Sequence, residues 1–302
     1  MKLNVAVFSR LFNSVLVFFR WKICSKEMMM MKIILALALL ANQLPAIAGE
    51  CDAQFYNGGM PKATRSNVPG RLTFLCYNEY AIQYSGETKT PIWTAEFLTT
   101  NRVKEAAKLK RTDSFHEETS IPAADRAYLT DYRGSSKLSI DRGHMAPNKD
   151  FSTYESQYQA FSLANIIPQN SQNNQNLWEG IESAVRDLTR RHERLYVITG
   201  PIFDESTHKM NNRVTIPTRI FKAIYDPYTK SASAYVAWNK PGMEYEVVSI
   251  MELNHVVGID LFPALPDTIK AKKVALPEPT PHSASHHKRQ TDSRFSGFSF
   301  LK

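Results

Sequence analysis

The stretch Asp141-Arg142-Gly143-His144-Met145-Ala146-Pro147-Asn148 restricts this chain more than any other, together with an Asn-rich helix start about thirty residues later. Ser139 to His144 has the composition of a short strand, and Gly143 lets the backbone come close to a bulky group. His144 next to Arg142 sets a titratable base beside a fixed cation, which suits proton abstraction near an anion. Farther on, Asn165-Ile166-Ile167-Pro168-Gln169 leads into Asn170-Ser171-Gln172-Asn173-Asn174-Gln175-Asn176-Leu177-Trp178, then Glu182 and Arg186. A base, an amide oxygen, a carboxylate and arginines in this order point to metal-assisted phosphodiester chemistry.

The elements around these residues follow from patterning. Arg71–Tyr77, Tyr80–Ser85 and Pro91–Thr99 read as strands, the first two joined by a hairpin-like connection at Asn78-Glu79. Asn101 to Lys110 reads as a short helix or an extended basic segment. Asp150 to Gln159 is a short helix or turn, and Phe161 to Asn165 enters a second strand. Ser171 opens a long helix whose first-turn Asn and Gln can satisfy free N–H groups. Its Trp178, Ile181, Val185 and Leu188 recur at i, i+3, i+7 and i+10, an apolar face for packing on a sheet. Asn174 and Glu182, two turns apart, project at nearby but not identical azimuths. Arg194–Phe203, Val214–Tyr225, Ala232–Trp238 and Glu246–Met251 complete the expected strands.

Charge is distributed unevenly. The 302-residue chain carries a formal +8, but residues 1–48 hold six Lys/Arg against one acid, and residues 266–302 hold seven against three. Residues 49–265 are left at a net −1, so the basicity of the whole is no argument for nucleic-acid binding; any positive surface must be local. Met28 to Lys32 precedes the apolar run Ile33 to Ala41, and Ala46-Ile47-Ala48 ends it with a small-x-small signal. That order is a secretory leader over residues 1–48, with a start within Met28–Met31 and cleavage after Ala48. Nine apolar residues are too few to span a bilayer. Residues 1–27, read instead as an amphipathic import segment, favour a mitochondrial address. Beyond the leader, Cys51 and Cys76 form an even pair: bridged, they stabilise the fold by roughly 3 kcal/mol, and the alternative is two free buried thiols. Residues 49–67 read as a loosely held arm, and residues 266–302 as a disordered basic tail whose His282, His286 and His287 are solvated. His116, His192, His208 and His255 lack a motif and read as structural or solvated.

Asp-Arg-Gly-His-x-Ala-Pro, then Asn-x-x-Pro-Gln, then Asn-x-x-x-Trp-x-x-x-Glu resembles the DNA/RNA non-specific endonuclease family, a ββα-metal group. The likeness runs over residues 68–265 and includes Pro217 to Lys222 and the closing Leu253-Asn254 to Pro263, where Val257-Gly258 replaces the usual Thr-Gly. It implies an α+β fold: a mixed or antiparallel sheet core with flanking helices and a ββα-metal motif. It also implies an enzyme that cuts DNA and RNA with Mg²⁺, or with Mn²⁺ or another divalent ion, which the leader makes an exported (secreted or periplasmic) one; homodimers occur in parts of the family. By resemblance His144 is the general base and Asn174 the direct metal ligand, with Glu182 holding the ion's waters. Arg111 and Arg186 clamp phosphate oxygens, Arg111 by spacing alone and with a solvated arginine as its other reading. Arg142 and Asp141 shape the site, and Asn165 is a supporting amide. One alternative is a nuclease-fold protein that holds nucleic acid without cutting it. A metalloprotease or serine hydrolase lacks its His-Glu-x-x-His or Gly-x-Ser-x-Gly.

Overall fold

The computed structural model describes residues 51–65, 68–204 and 207–280. The leader, Cys24 and the three tail histidines lie outside these residues. Among the described residues there are thirteen strands: β1 (Lys62–Ala63), β2 (Leu72–Cys76), β3 (Ala81–Ser85), β4 (Thr90–Thr99), β5 (Ile140–His144), β6 (Ile166–Asn170), β7 (Arg194–Ile202), β8 (His208–Met210), β9 (Val214–Ile216), β10 (Arg219–Asp226), β11 (Ser231–Trp238), β12 (Tyr245–Val248) and β13 (Ile259–Asp260). Seven of them form one antiparallel sheet in the order β12-β11-β10-β7-β4-β3-β2, and β1–β13, β5–β6 and β8–β9 pair separately. The helices are α1 (Thr100–Ala106), α2 (Tyr154–Ala160), α3 (Glu179–His192), α4 (Ile250–Val257) and α5 (Asp267–Lys270). The fold is α+β, as expected.

The central strands are buried on both faces, because alternate side chains meet two different layers. On β10, Phe221, Ala223 and Tyr225 join Trp93, Ala95 and Ile198 on one side, together with Phe55, Ile250 and Leu253. Ile220 and Ile224 point the other way, where Leu177, Trp178, Ile181, Val185 and Leu188 cover them. The apolar stripe foreseen on the long helix is thus the lid of this second layer, and Trp178 is core. The same face of the sheet carries Glu96, Thr199 and Lys222, all buried, so the floor under α3 is partly ionic.

Several expectations need correction. The second strand of the site hairpin is Ile166–Asn170; Leu163–Asn165 is a 3₁₀ turn, started by Ser162 Oγ accepting from the Ala164 N–H. Val214–Tyr225 is two strands, because β9 leaves to pair with β8 and Pro217-Thr218 separates it from β10. The last strand stops at Val248. Ser249 and Glu252 form a reciprocal capping box that starts α4 instead, and Gly258 ends it at φ 69°. The N-terminal arm is docked, not loose: Cys51 and Phe55 are in the core, Gln54 Oε1 accepts from the Phe97 N–H, and β1 pairs with β13. Nor is the tail disordered up to residue 280. Lys270 is buried against Asp260 and Asp267, the Val274 N–H donates to Ser233, and the Tyr235 hydroxyl donates to the Pro277 carbonyl. Cys51 and Cys76 are joined in a disulfide, Cα–Cα 5.7 Å. No helix among the described residues is long and apolar enough to cross a membrane.

Candidate active site

The β5–β6 hairpin sets the geometry, with Arg142 opposite Pro168, Gly143 opposite Ile167 and His144 opposite Ile166. Gly143 has a steric reason: a Cβ there would lie 2.6 Å from the Gln169 Cβ and 2.0 Å from its Oε1. Gln169 is fully buried and its Nε2 donates to Asn173 Oδ1 at 2.8 Å, so it has no room to yield. Asn165 clamps the backbone after His144, accepting from the Ala146 N–H and donating to the Ala146 and Ala160 carbonyls. It supports the site from below and has no place on the cavity wall.

His144 ends β5 only 8% exposed, its ring between those of Phe115 and Phe161, 5.3 and 5.0 Å away. Its buried Nε2 has no protein partner. Burial, then the charges of Arg111 and Arg142, push its pKa down to about 3, so the ring is neutral at physiological pH and can accept a proton.

A cavity of about 390 Å³ opens beside it, lined by Arg111, Arg142, His144, Asn174, Glu179 and Glu182 among others. Ideal α-helical spacing would turn Asn174 and Glu182 about 80° apart. The helix entering α3 is instead π-helical over Asn173–Trp178. Its i→i+5 turns hold more residues each and reduce that offset, bringing both side chains to one cavity. The Asn174 Nδ2 donates to Asp141 Oδ2 at 2.9 Å. A carboxylate only accepts, so this contact fixes the amide with its oxygen away from Asp141. Asp141 also accepts from Ser171 and Gln175. Partial burial opposes its charge, but the hydrogen bonds from Asn174, Ser171 and Gln175 prevail and hold its carboxyl below the usual range.

Glu182 behaves oppositely. Burial pushes its carboxyl up to about 7, against the pull of Arg186 and Lys222. Asn174 and Glu182 therefore offer an amide oxygen and a carboxylate with unspent capacity. Among the described residues no three His, Cys, Asp or Glu side chains converge as a closed metal cage. Such a sparse, all-oxygen donor set fits a hard ion that keeps most of its own water, and does not fit zinc.

The arginines separate into two groups. Arg111 and Arg142 reach the cavity, Arg111 held by Asn148 (2.8 Å) and Asp113 (2.6 Å), and Arg142 stacked 3.9 Å over the Phe115 ring. Arg186 does not. It is 5% exposed, 3.1 Å from Asp150 and 3.9 Å from Glu182, a counter-charge behind the carboxylate rather than a phosphate clamp. Behind it Arg102 lies 3.3 Å from Glu96, whose carboxyl is pushed up to about 8 by burial and then by Asp150. Asn148, Lys149, Gln175 and Glu179 also line the cavity and were missed from sequence. Gln175 and Glu179 precede Glu182 by seven and three residues, which puts them on its helix face; that spacing is the signal that could have found them. Of the other histidines, His116 stacks on Tyr158, His192 pairs with Asp226 and His255 meets Arg65, all outside the cavity.

The chain matches the DNA/RNA non-specific endonuclease family over residues 61–268. It is 30% identical over 211 residues to the mitochondrial nuclease EXOG of Danio rerio, a match covering 63% of this chain and 60% of that protein. With mitochondrial endonuclease G of Bos taurus it shares 31% over 193 residues, 60% of this chain and 62% of that one. A nuclease of Nostoc is 29% identical over 218 residues, 70% and 73% of the two chains. The chain thus spans about 60% of the length of the EXOG proteins it matches. The crystal structure of an endonuclease G in complex with the inhibitor EndoGI superposes with a TM-score of 0.57 at 27% identity, over 68% of this chain and 94% of that one. The chain belongs to the DNA/RNA non-specific endonuclease family.

Proposed function

We propose that the protein is a divalent-metal-dependent endonuclease that hydrolyses phosphodiester bonds in DNA and RNA with weak sequence preference. The observation that carries this reading is a neutral, buried His144 facing the same cavity as Asn174, Glu182, Arg111 and Arg142. His144 takes the proton of the attacking water, its ring packed against Phe115 and Phe161. Arg111 and Arg142 hold the non-bridging oxygens; guanidinium forks match that geometry, and both are fixed before substrate arrives. Asn174, by its amide oxygen, and Glu182, by its carboxylate, would hold a hydrated divalent ion such as Mg²⁺. When bound, the ion offsets the negative charge that builds on the phosphate and the leaving oxygen. Asp141 acts through Asn174 as a positioning residue, and Arg186 through Glu182. Phosphate contacts position a strand without reading its bases, so sequence preference is weak.

We place the protein outside the cytoplasm by its leader, residues 1–48, with a mitochondrial address as the competing reading, since several relatives are named as mitochondrial. Plasmid DNA and total RNA are incubated with the purified protein in Mg²⁺, in EDTA, and with His144→Ala. Cutting of both substrates that stops with EDTA and with the variant supports the proposal. A folded wild type that shifts DNA in a gel without cutting it supports the alternative, a nucleic-acid-holding protein.

A further inference from the structure

The active-site cavity does not end at Arg142. On the far side of that arginine a second cleft of about 270 Å³ is walled by Arg111, Phe115, Ser135, Ser136 and Asn174. A third, of about 460 Å³, continues along Leu129, Tyr132, Arg133, Ser135 and Ser136. Arg142 lines all three, and Ser135 and Ser136 line both outer clefts, so a single groove runs from His144 to Arg133.

Beyond the inner cavity its charge turns positive. The third cleft has no acid among its lining residues. The second has two, Asp113 and Asp141, and both are engaged: Asp113 by Arg111, and Asp141 by Ser171, Asn174 and Gln175. Arg133 is exposed, and among the described residues neither it nor Arg142 has a carboxylate partner within 4.0 Å. Residues 49–265 carry a net charge of −1, so an acid-free outer cleft lined by Arg133 and Arg142 does not come from general basicity. Exposed Leu129 adds an apolar surface beside Arg133. Guanidinium groups, hydroxyls and a small apolar surface side by side offer partners for the phosphates and sugar edges of a nucleic-acid strand.

The groove is also built in advance. Asp131 accepts from Arg213 at 2.7 Å and from the Tyr128 N–H, which anchors the 3₁₀ turn Leu129–Tyr132 ahead of Arg133. Gly134 at φ 80° then reverses the chain into the turn Ser135–Leu138, which Ser139 closes at φ 54° before β5 begins. The loop with the outer residues therefore feeds directly into the strand that carries Arg142 and His144.

We infer that Arg133, Ser135 and Ser136 form a subsite for the backbone of nucleotides flanking the bond that is cut, on the Arg142 side. This rests on the nuclease reading and adds where the strand lies. A minimal diester, bis(p-nitrophenyl) phosphate, has no flanking phosphate and occupies only the inner cavity; a 20-nucleotide single strand reaches the outer clefts. In the full chain with Mg²⁺, Arg133→Ala raises KM for the 20-mer about tenfold with kcat within about twofold. The loss in kcat/KM on the 20-mer exceeds that on the minimal diester by at least about fivefold. The slope of log affinity against log salt for the 20-mer, read by fluorescence anisotropy in EDTA, falls by about 0.7 for one lost phosphate contact on a single strand. Arg133→Lys restores most of the slope, because it restores the charge. Unchanged KM and salt slope in Arg133→Ala overturn the subsite, as do equal losses on both substrates, which would mean a general disturbance of the site. If the wild type cuts neither substrate the nuclease reading fails, and the anisotropy slope decides the subsite alone.

Discussion

Replacing Gly143 by alanine isolates the contact that determines where His144 stands. The added methyl would sit 2.6 Å from the Gln169 Cβ, about 1 Å inside ordinary carbon–carbon contact. Two ways out exist, and both cost stability. Separating β5 from β6 is overpacking, at about 1–3 kcal/mol. Swinging Gln169 aside breaks its 2.8 Å bond to Asn173 in a fully buried place, at about 1–3 kcal/mol for the group left unsatisfied. Either route, at about 1–3 kcal/mol and about 2–4 °C per kcal/mol for a domain of this size, lowers Tm by about 2–12 °C. A shift of the hairpin by about 1 Å also costs about a hundredfold in kcat, because the base and the phosphate-holding arginines leave their mutual geometry. Calorimetry and a fluorogenic DNA assay read the two effects. Gly58→Ala is the control: its Cβ meets nothing within 4 Å and only φ 68° opposes it, which limits the cost to about 1–2 kcal/mol with no effect on rate. A Gly143→Ala protein that melts within 2 °C of wild type and keeps its kcat would refute the argument, since the hairpin would then have slack that its contacts deny.

Four further outcomes follow from the site. His144 titrates at about 3 folded against 6.5 unfolded, so the unfolded chain takes up the proton first and stability falls as pH drops from 6.5 to 3. His144→Asn removes up to about 5 kcal/mol of that fall; urea melts at pH 7, 5 and 4 that run parallel for the two proteins exclude it. Glu182, at about 7, must lose its proton to serve a cation, so Mg²⁺ affinity measured by calorimetry weakens up to about tenfold per pH unit below 7 and flattens in Glu182→Gln; equal slopes contradict this. Arg186→Ala strands Asp150 in the interior and costs about 3–5 kcal/mol, whereas Arg111→Ala, at the surface, changes stability by less than about 1 kcal/mol and acts on KM and kcat; the reverse ranking in thermal melts refutes the division of the arginines. Cys51→Ala with Cys76→Ala lowers stability by about 3 kcal/mol through the freed loop of 25 residues, and a denaturant midpoint that does not move rules that out.

The site was largely legible because its residues are short-range in sequence. His144, Asn174 and Glu182 lie on one strand pair and the helix that follows it, so the ordered motif that carries the family resemblance also named residues that line one cavity. Arg186 shows where spacing fails. It follows Glu182 by one helical turn, but an azimuth cannot say whether a guanidinium faces solvent or Asp150, a residue whose burial depends on α1 and the sheet. The π-helical turn was equally hidden: Asn173 at its start is tied to the distant Trp238 carbonyl, and composition registers only a run of amides. Among the elements, α4 was missed although Ser249 and Glu252 state its capping box openly; the β-branched Val247 and Val248 favoured extending the strand instead. The docked arm and the ordered residues up to 280 owe their order to partners far away in sequence, which no local pattern shows.

Those last residues have a consequence for where the molecule ends in an energetic sense. Leu276 packs in the layer between α3 and the sheet, the Ser233 and Tyr235 hydroxyls both meet this segment, and the Thr280 carbonyl lies against Gly180, two residues before Glu182. The family match stops at residue 268, yet the chain goes on fastening the helix that carries the carboxylate for a dozen residues more. A protease that nicks this seam would leave every catalytic side chain intact and still loosen the bed on which Glu182 lies. Amide exchange along the first turns of α3 is therefore set by the seam as well as by the helix itself.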